Sequence, residues 1–119
     1  MEHKNLNLRY RLGFAINGIR NAWRTEKSVR FQSLAALLVI VFCVIARPPL
    51  IWCAVFAAMA AIVLSLELVN SAIEAVLDRL HPERDESIGF AKDCLAGAVL
   101  VASLASVLVF ALYLWSAFA

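Results

Sequence analysis

Three long apolar segments restrict this chain to very few folds. They cover residues 34–46, 50–66 and 94–115, and none of them contains a charged residue. With neighbouring residues counted, each approaches the roughly 20 residues that a helix needs to cross a bilayer. A soluble domain of 119 residues could not hide segments of this length beneath a polar surface. Together with a hydrophobic content of 63%, they predict an all-α integral membrane protein.

Two interruptions separate these segments. Arg47 precedes Pro48 and Pro49, and because two prolines cannot continue a helix, we expect a tight hairpin there. The second interruption, residues 80–89, combines Pro82 with a dense mix of charges and predicts a loop. The chain is therefore expected to form one membrane domain, with transmembrane helices at residues 31–47, 49–79 and 90–118. The middle helix is long enough to extend beyond the bilayer.

The first 30 residues have a different pattern. Apolar residues recur every three or four positions and alternate with arginines, and they are Leu8, Leu12, Ile16, Ile19 and Trp23. This pattern predicts an amphipathic helix over residues 1–30 that lies on the membrane surface. A solvated helix packed on a partner is the alternative, and Gly13 and Gly18 weaken the prediction of a single continuous helix. A removable signal peptide is not expected, because the polar start lacks an early apolar core.

The basic residues are distributed unevenly along the chain. Seven precede the first long apolar segment, three more are Arg79, Arg84 and Lys92, and Arg47 is the remaining one. The positive-inside rule places the amino terminus and the loop at residues 80–89 in the cytoplasm, with Arg47 outside. Small residues also recur every fourth position in the second and third spans, a spacing that lets membrane helices approach closely and favours an oligomer.

Polar residues continue the second apolar segment on one helical face. Glu67, Asn70, Glu74 and Asp78 are spaced by three, four and four residues, so a helix presents them as a stripe. Carboxylates at membrane depth are costly and mark a functional site. Six of the nine acids lie between residues 74 and 93, and carboxylates suit magnesium, which usually binds to one or two of them together with substrate phosphates. The chain contains no GxxxxGK[ST] motif, so a nucleotide site here would not be a standard one.

The three cysteines, Cys43, Cys53 and Cys94, lie within apolar segments. They lack the CxxC spacing of a zinc or redox site. We therefore expect them to be small core or lipid-facing residues.

The polar stripe also carries a family resemblance. Residues 67–79 read ELVNSAIEAVLDR, and Ala91, Lys92 and Asp93 follow at a spacing that resembles the signature of the prokaryotic diacylglycerol kinase family. The resemblance implies a homotrimer in the bacterial inner membrane, with three transmembrane helices and an amino-terminal surface helix in each chain. It further implies transfer of the γ-phosphate of ATP to a lipid alcohol, with Mg²⁺, at sites shared between neighbouring subunits.

The same resemblance assigns roles to individual residues. It implies that Glu67 is the general base, that Glu26 and Glu74 bind magnesium, and that Asn70 contacts the phosphates and the acceptor. It implies that Lys92 contacts the phosphates. Four further acids are implied to line the nucleotide site or to order its loop, namely Asp78, Glu83, Glu86 and Asp93. Elementary chemistry agrees, because phosphoryl transfer needs positioning and charge neutralisation more than covalent help from the protein.

One position departs from the family pattern. Enterobacterial members carry a further carboxylate shortly after the equivalent of Glu26, where this chain has Gln32. Gram-positive relatives that prefer undecaprenol also lack that acid, so the acceptor is either diacylglycerol, as we expect, or undecaprenol. A small cation or proton conductor is the non-enzymatic alternative. A conductor would need acids through the full depth of the membrane, and the second and third apolar segments contain none.

Overall fold

The computed structural model describes residues 7–83 and 85–119, which form an all-helical structure. Four helices follow one another in these residues: α1 is Leu8–Thr25, α2 is Lys27–Ala46, α3 is Leu50–Leu80 and α4 is Glu86–Phe118. The helices α2, α3 and α4 are long and apolar enough to cross a membrane. The prediction of an all-α chain with three helices of membrane-spanning length and composition is therefore confirmed.

Helix α1 is shorter than the surface helix that was predicted over residues 1–30. Its first turn is capped by the Asn7 side chain, which accepts a hydrogen bond from the Tyr10 N–H at 3.3 Å. The helix runs unbroken through both glycines and ends at Thr25. Glu26 then adopts an extended conformation, with φ of −111° and ψ of 112°, and α2 begins at the next residue. The boundary between α1 and α2 thus lies at Glu26, and residues 1–6 are outside the described part of the chain.

Helices α2 and α3 form the predicted hairpin. Arg47 ends α2 in the left-handed region, with φ of 50° and ψ of 56°, and its N–H donates to the Cys43 carbonyl at 3.1 Å. This conformation costs a residue with a side chain about 1–2 kcal/mol. It reverses the chain within three residues, so that Pro48 is buried and α3 begins directly after Pro49.

Helix α3 is the centre of the structure. Its 31 residues span ~46 Å at the usual helical rise. Both α2 and α4 pack against α3, whereas the backbones of α2 and α4 do not contact each other. Near the hairpin, side chains bridge the three helices through an aromatic cluster whose ring centroids lie 5.3 to 6.3 Å apart. The cluster consists of Phe42, Trp52, Phe56, Phe110 and Tyr113.

Helix α4 begins at Glu86, four residues before the predicted start of the third span at residue 90. The reason is a cap at Asp85, whose carboxylate accepts a hydrogen bond from the Ile88 N–H at 2.9 Å. Glu86 lies in the first turn, where the helix dipole favours an acid. The connection between α3 and α4 is correspondingly shorter than the loop predicted over residues 80–89.

Few side chains of the single chain are buried. The buried apolar residues are Val29, Phe56, Val63 and Tyr113, while large apolar side chains cover most of the outside of α2, α3 and α4. Lipid tails are as apolar as these side chains, so such a surface is stable within a bilayer or against other helices.

Candidate functional site

Solvent exposure increases along the polar stripe of α3, from Glu67 to Asp78. Glu67 is only 4% exposed and continues the buried face formed by Phe56 and Val63. Asn70 and Glu74 are half-buried, and Asp78 is exposed near the end of the helix. The helical spacing predicted this shared face, and the structure places Glu67 at its most enclosed point.

Two polar groups on this face have no partner. Among residues 7–83 and 85–119, the carboxylate of Glu67 takes part in no hydrogen bond or ion pair. One turn further along, Asn70 Oδ1 is shielded from solvent and accepts no hydrogen bond. Leaving a buried polar group unsatisfied costs about 1–3 kcal/mol. Both groups therefore need a partner from outside the described residues, such as a ligand or another subunit.

Glu26 lies level with these two groups. Because α2 contains 20 residues and α3 begins right after the hairpin, the start of α2 is ~30 Å from the turn. The same distance along α3 reaches the turn that holds Glu67 and Asn70. Helix α1 also contacts both α2 and α3. The bend between α1 and α2 at Glu26, here called the elbow, therefore brings the half-buried Glu26 side chain to the depth of the polar stripe.

Arg30 holds this elbow in place. One nitrogen of its guanidinium, Nη1, donates to the carbonyl of Trp23 at 2.7 Å and to the carbonyl of Arg24 at 3.1 Å. Those carbonyls belong to the last turn of α1, where no further helical N–H can reach them. A side chain of α2 thus caps the carboxyl end of α1 and restricts the angle at Glu26.

On the other side of the stripe, α4 supplies a cation. The Lys92 ammonium group lies 2.6 Å from the Asp78 carboxylate, and the two side chains are 26% and 64% exposed. Glu83, Glu86 and Asp93 are exposed near this pair in sequence, and none of them forms an ion pair within the described residues. The structure therefore unites Lys92 with Asp78 and leaves the other three acids facing solvent.

The acids do not form a metal site made of protein alone. In the described ranges, no three side chains of aspartate, glutamate, histidine or cysteine converge closely enough to bind a metal ion. The half-buried Glu26 and Glu74 offer hard oxygen ligands on neighbouring elements. This donor set fits magnesium, which takes one or two carboxylates and completes its coordination with phosphates and water.

An apolar groove of about 380 Å³ lies beside the stripe. Residues of α2 and α4 form its sides, and α3 is its floor. Val63, one turn before Glu67, lines it together with Phe56, and Gln32 lines it from α2. Along α3 the groove thus extends from the aromatic cluster to within one turn of the buried carboxylate.

Comparison with known proteins identifies the family. The sequence model for "Prokaryotic diacylglycerol kinase" matches residues 13–114, which include all of α2 and α3 and most of α1 and α4. The chain belongs to the prokaryotic diacylglycerol kinase family. The diacylglycerol kinase of Escherichia coli K12 is 36% identical over 106 residues, which cover 89% of this chain and 87% of that protein. The diacylglycerol kinase of Synechocystis is 35% identical over 106 residues, 88% of this chain and 59% of that protein. The undecaprenol kinase of Bacillus subtilis is 32% identical over 111 residues, 91% and 89% of the two chains.

Two features of this diacylglycerol kinase family member were not predicted from the sequence. The role of Arg30 was missed because its hydrogen bonds depend on the angle between α1 and α2. The cap at Asp85 could have been predicted from the sequence. An aspartate directly before a run of residues that favour a helix is a typical N-cap.

Proposed function

We propose that this chain is an ATP-dependent lipid kinase that transfers the γ-phosphate of ATP to the primary hydroxyl of diacylglycerol, giving phosphatidic acid. The observation that carries the proposal is the buried, unpartnered Glu67 carboxylate, with the shielded Asn70 Oδ1 one turn away, at the polar end of an apolar helix. An acceptor hydroxyl at the membrane interface would supply a donor to the Glu67 carboxylate.

Glu67 acts as the general base in this proposal. Its carboxylate accepts the proton of the acceptor hydroxyl while the hydroxyl oxygen forms a bond to the γ-phosphorus. The bond between the γ-phosphorus and the oxygen that bridges it to the β-phosphate breaks, and ADP leaves. Asn70 lies one turn from Glu67, and its side-chain amide N–H groups would donate to the phosphoryl oxygens, while Oδ1 would accept from a donor on the acceptor lipid.

The phosphates bind further out along the stripe. Lys92 donates hydrogen bonds to phosphate oxygens and neutralises part of their charge. Glu26 and Glu74 are the residues that would bind magnesium, which would neutralise charge on the phosphates. Asp78 holds the Lys92 ammonium, and Glu83, Glu86 and Asp93 line the nucleotide side or order the connection before α4.

The proposed setting is the bacterial inner membrane, with the amino terminus and the site on the cytoplasmic side. Support comes from the basic residues, which concentrate in α1 and around the connection between α3 and α4. Helix α1 has no buried residue, and its apolar side chains Leu12, Ile16 and Ile19 are exposed, which suits a position in the membrane interface. A homotrimer would cover the exposed faces of the spans. It would also enclose the proposed active site, which three helices cannot do alone.

The apolar groove supports a lipid acceptor. Its floor ends one turn from Glu67, so a chain lying in it would present its polar end at the level of the base. Undecaprenol is the second candidate acceptor. It is favoured by Gln32, which lines the groove where enterobacterial relatives carry an acid, and by the similarity to the undecaprenol kinase of Bacillus subtilis.

The test of the proposed function is a product assay. The purified protein is incubated with ATP labelled at the γ-phosphate, magnesium and one lipid at a time, and the lipid products are separated. We expect label in phosphatidic acid with diacylglycerol and little with undecaprenol. Label in undecaprenyl phosphate alone would show that the acceptor is undecaprenol and not diacylglycerol. Absence of labelled lipid together with absence of ATP binding would refute the kinase.

A further inference from the structure

Two cysteines from different helices meet at the α2–α3 hairpin. The thiol of Cys53 donates to the Pro48 carbonyl at 3.7 Å, which leaves its sulfur available as an acceptor. The side chain of Cys43 lies close enough to that of Cys53 for the two thiols to interact. Both residues are half-buried and neither is in a disulfide. The two thiols therefore lie next to each other across the hairpin.

The turn itself creates this proximity. Cys43 is in the last turn of α2, where its carbonyl accepts from the N–H of Arg47, and Cys53 is in the first turn of α3, where its N–H donates to the Pro49 carbonyl at 3.2 Å. The left-handed Arg47 and the proline pair reverse the chain between them. The cysteines were expected to be core or lipid-facing residues because they lack the CxxC spacing. A hairpin can bring together two cysteines that are ten residues apart, and a search for the CxxC spacing does not find such a pair.

We propose that Cys43 and Cys53 are a redox modification site, where a disulfide forms and links α2 to α3 at the hairpin. The reaction is an exchange with a small disulfide oxidant. One thiol loses its proton and attacks the oxidant, releasing one half of it as a thiol. The second cysteine then attacks the mixed disulfide, so that the Cys43–Cys53 bond forms and the other half leaves as a second thiol. Two electrons and two protons pass from the pair to the oxidant.

The position of the pair separates this modification from phosphoryl transfer. Cys53 precedes Glu67 by 14 residues on α3, which is ~21 Å along the helix. The proposed topology places the hairpin on the extracytoplasmic side, where disulfides form and persist. Only the occurrence of the disulfide in cells depends on that topology, because the proximity of the thiols is a property of the hairpin.

The experiment counts thiols in the purified protein. Cys94, which is exposed on α4, is replaced by Cys94→Ser so that the pair alone is measured. The protein is treated with oxidised glutathione, unfolded, and labelled with a maleimide. We expect two labels per chain before oxidation and none after it. The intact mass of the oxidised protein should be lower by two hydrogens, and it should show no bound glutathione. Treatment with dithiothreitol should restore both labels.

A matched control moves one thiol by a single position. The double change Cys53→Ala and Ala54→Cys turns the thiol by about 100° around α3, onto an exposed position. This variant should retain two thiols that react with maleimide or carry glutathione. The proposal is overturned if the original pair also remains as two thiols or as two glutathione adducts, or if the shifted pair forms the disulfide equally well. Thiol counting does not depend on kinase activity, so failure of this proposal is distinguishable from failure of the proposed function.

Discussion

The Lys92 ammonium group lies 2.6 Å from the Asp78 carboxylate, and the proposed function also assigns it to the phosphates of ATP. At the scale of the residue, these two roles differ in what they require. An ion pair needs opposite charges at the two positions, whereas phosphate binding needs the cation on α4. As a contribution to stability the pair should be small, because the Asp78 side chain is 64% exposed.

Exchanging the two charges separates these roles. The variant with Asp78→Lys and Lys92→Asp retains an ion pair but removes the cation from α4. We expect it to fold like the wild type and to lose at least ~10-fold in turnover, since a charge-assisted hydrogen bond contributes about 1.5–3 kcal/mol. Measurement of kcat and of thermal unfolding in detergent checks this. Activity restored to the wild-type level by the exchange would show that Lys92 serves only the ion pair.

Single residues also show how far the sequence could predict the site. The burial of Glu67 followed from its place at the end of an apolar helix and from the three- and four-residue spacing of the stripe. The contact between Cys43 and Cys53 did not follow, because it depends on the left-handed conformation of Arg47. The expected magnesium ligands, Glu26 and Glu74, stay a prediction, since spacing along the sequence does not give the distance between side chains of different helices.

At the scale of the element, the elbow between α1 and α2 determines where Glu26 lies. Sequence patterns predicted both helices, because apolar periodicity and apolar length are local properties. They missed the boundary at Glu26, since the residues on either side of it are compatible with a helix. The extended backbone of Glu26 is accompanied by the two hydrogen bonds from Arg30 to the end of α1.

Loosening that elbow should weaken magnesium binding. Arg30→Ala removes both hydrogen bonds to the Trp23 and Arg24 carbonyls and leaves α2 otherwise intact. We expect the magnesium concentration for half-maximal activity to rise several-fold, since each hydrogen bond contributes about 1 kcal/mol. Arg30→Lys, which keeps the charge and one donor, should restore part of the loss. An unchanged magnesium dependence in Arg30→Ala would show that the elbow does not position a metal ligand.

At the scale of the whole molecule, a single chain leaves the site incomplete. Three spans expose most of their apolar surface, and Asn70 Oδ1 has no donor within the described residues. The sequence predicted an oligomer from small residues at every fourth position, but such spacing does not identify which faces meet. The homotrimer and the sharing of sites between subunits are consequently proposals that need measurements on the assembled protein.

Mixing two inactive variants tests whether sites are shared. Glu67→Gln removes the base on α3, and Lys92→Ala removes the cation on α4. Each variant alone should be inactive. If neighbouring subunits contribute these residues to one site, trimers that contain both chains should recover activity well above either parent. Native mass spectrometry should show three chains per assembly. Mixed trimers that remain as inactive as the parents would indicate that each chain carries both residues of its own site.

The most direct test of the account is the separation of binding from turnover in Glu67→Gln. The substitution preserves the size of the buried side chain and removes its ability to accept a proton. Turnover with diacylglycerol should fall by about 10²–10⁴-fold, the usual contribution of a general base, while ATP affinity changes less than ~3-fold. Val29→Ala, at an equally buried position that does not line the groove, controls for loosened packing and should keep most of the activity. Retention of more than about a tenth of the turnover in Glu67→Gln, or loss of ATP binding together with turnover, would contradict the assignment of Glu67 as the base.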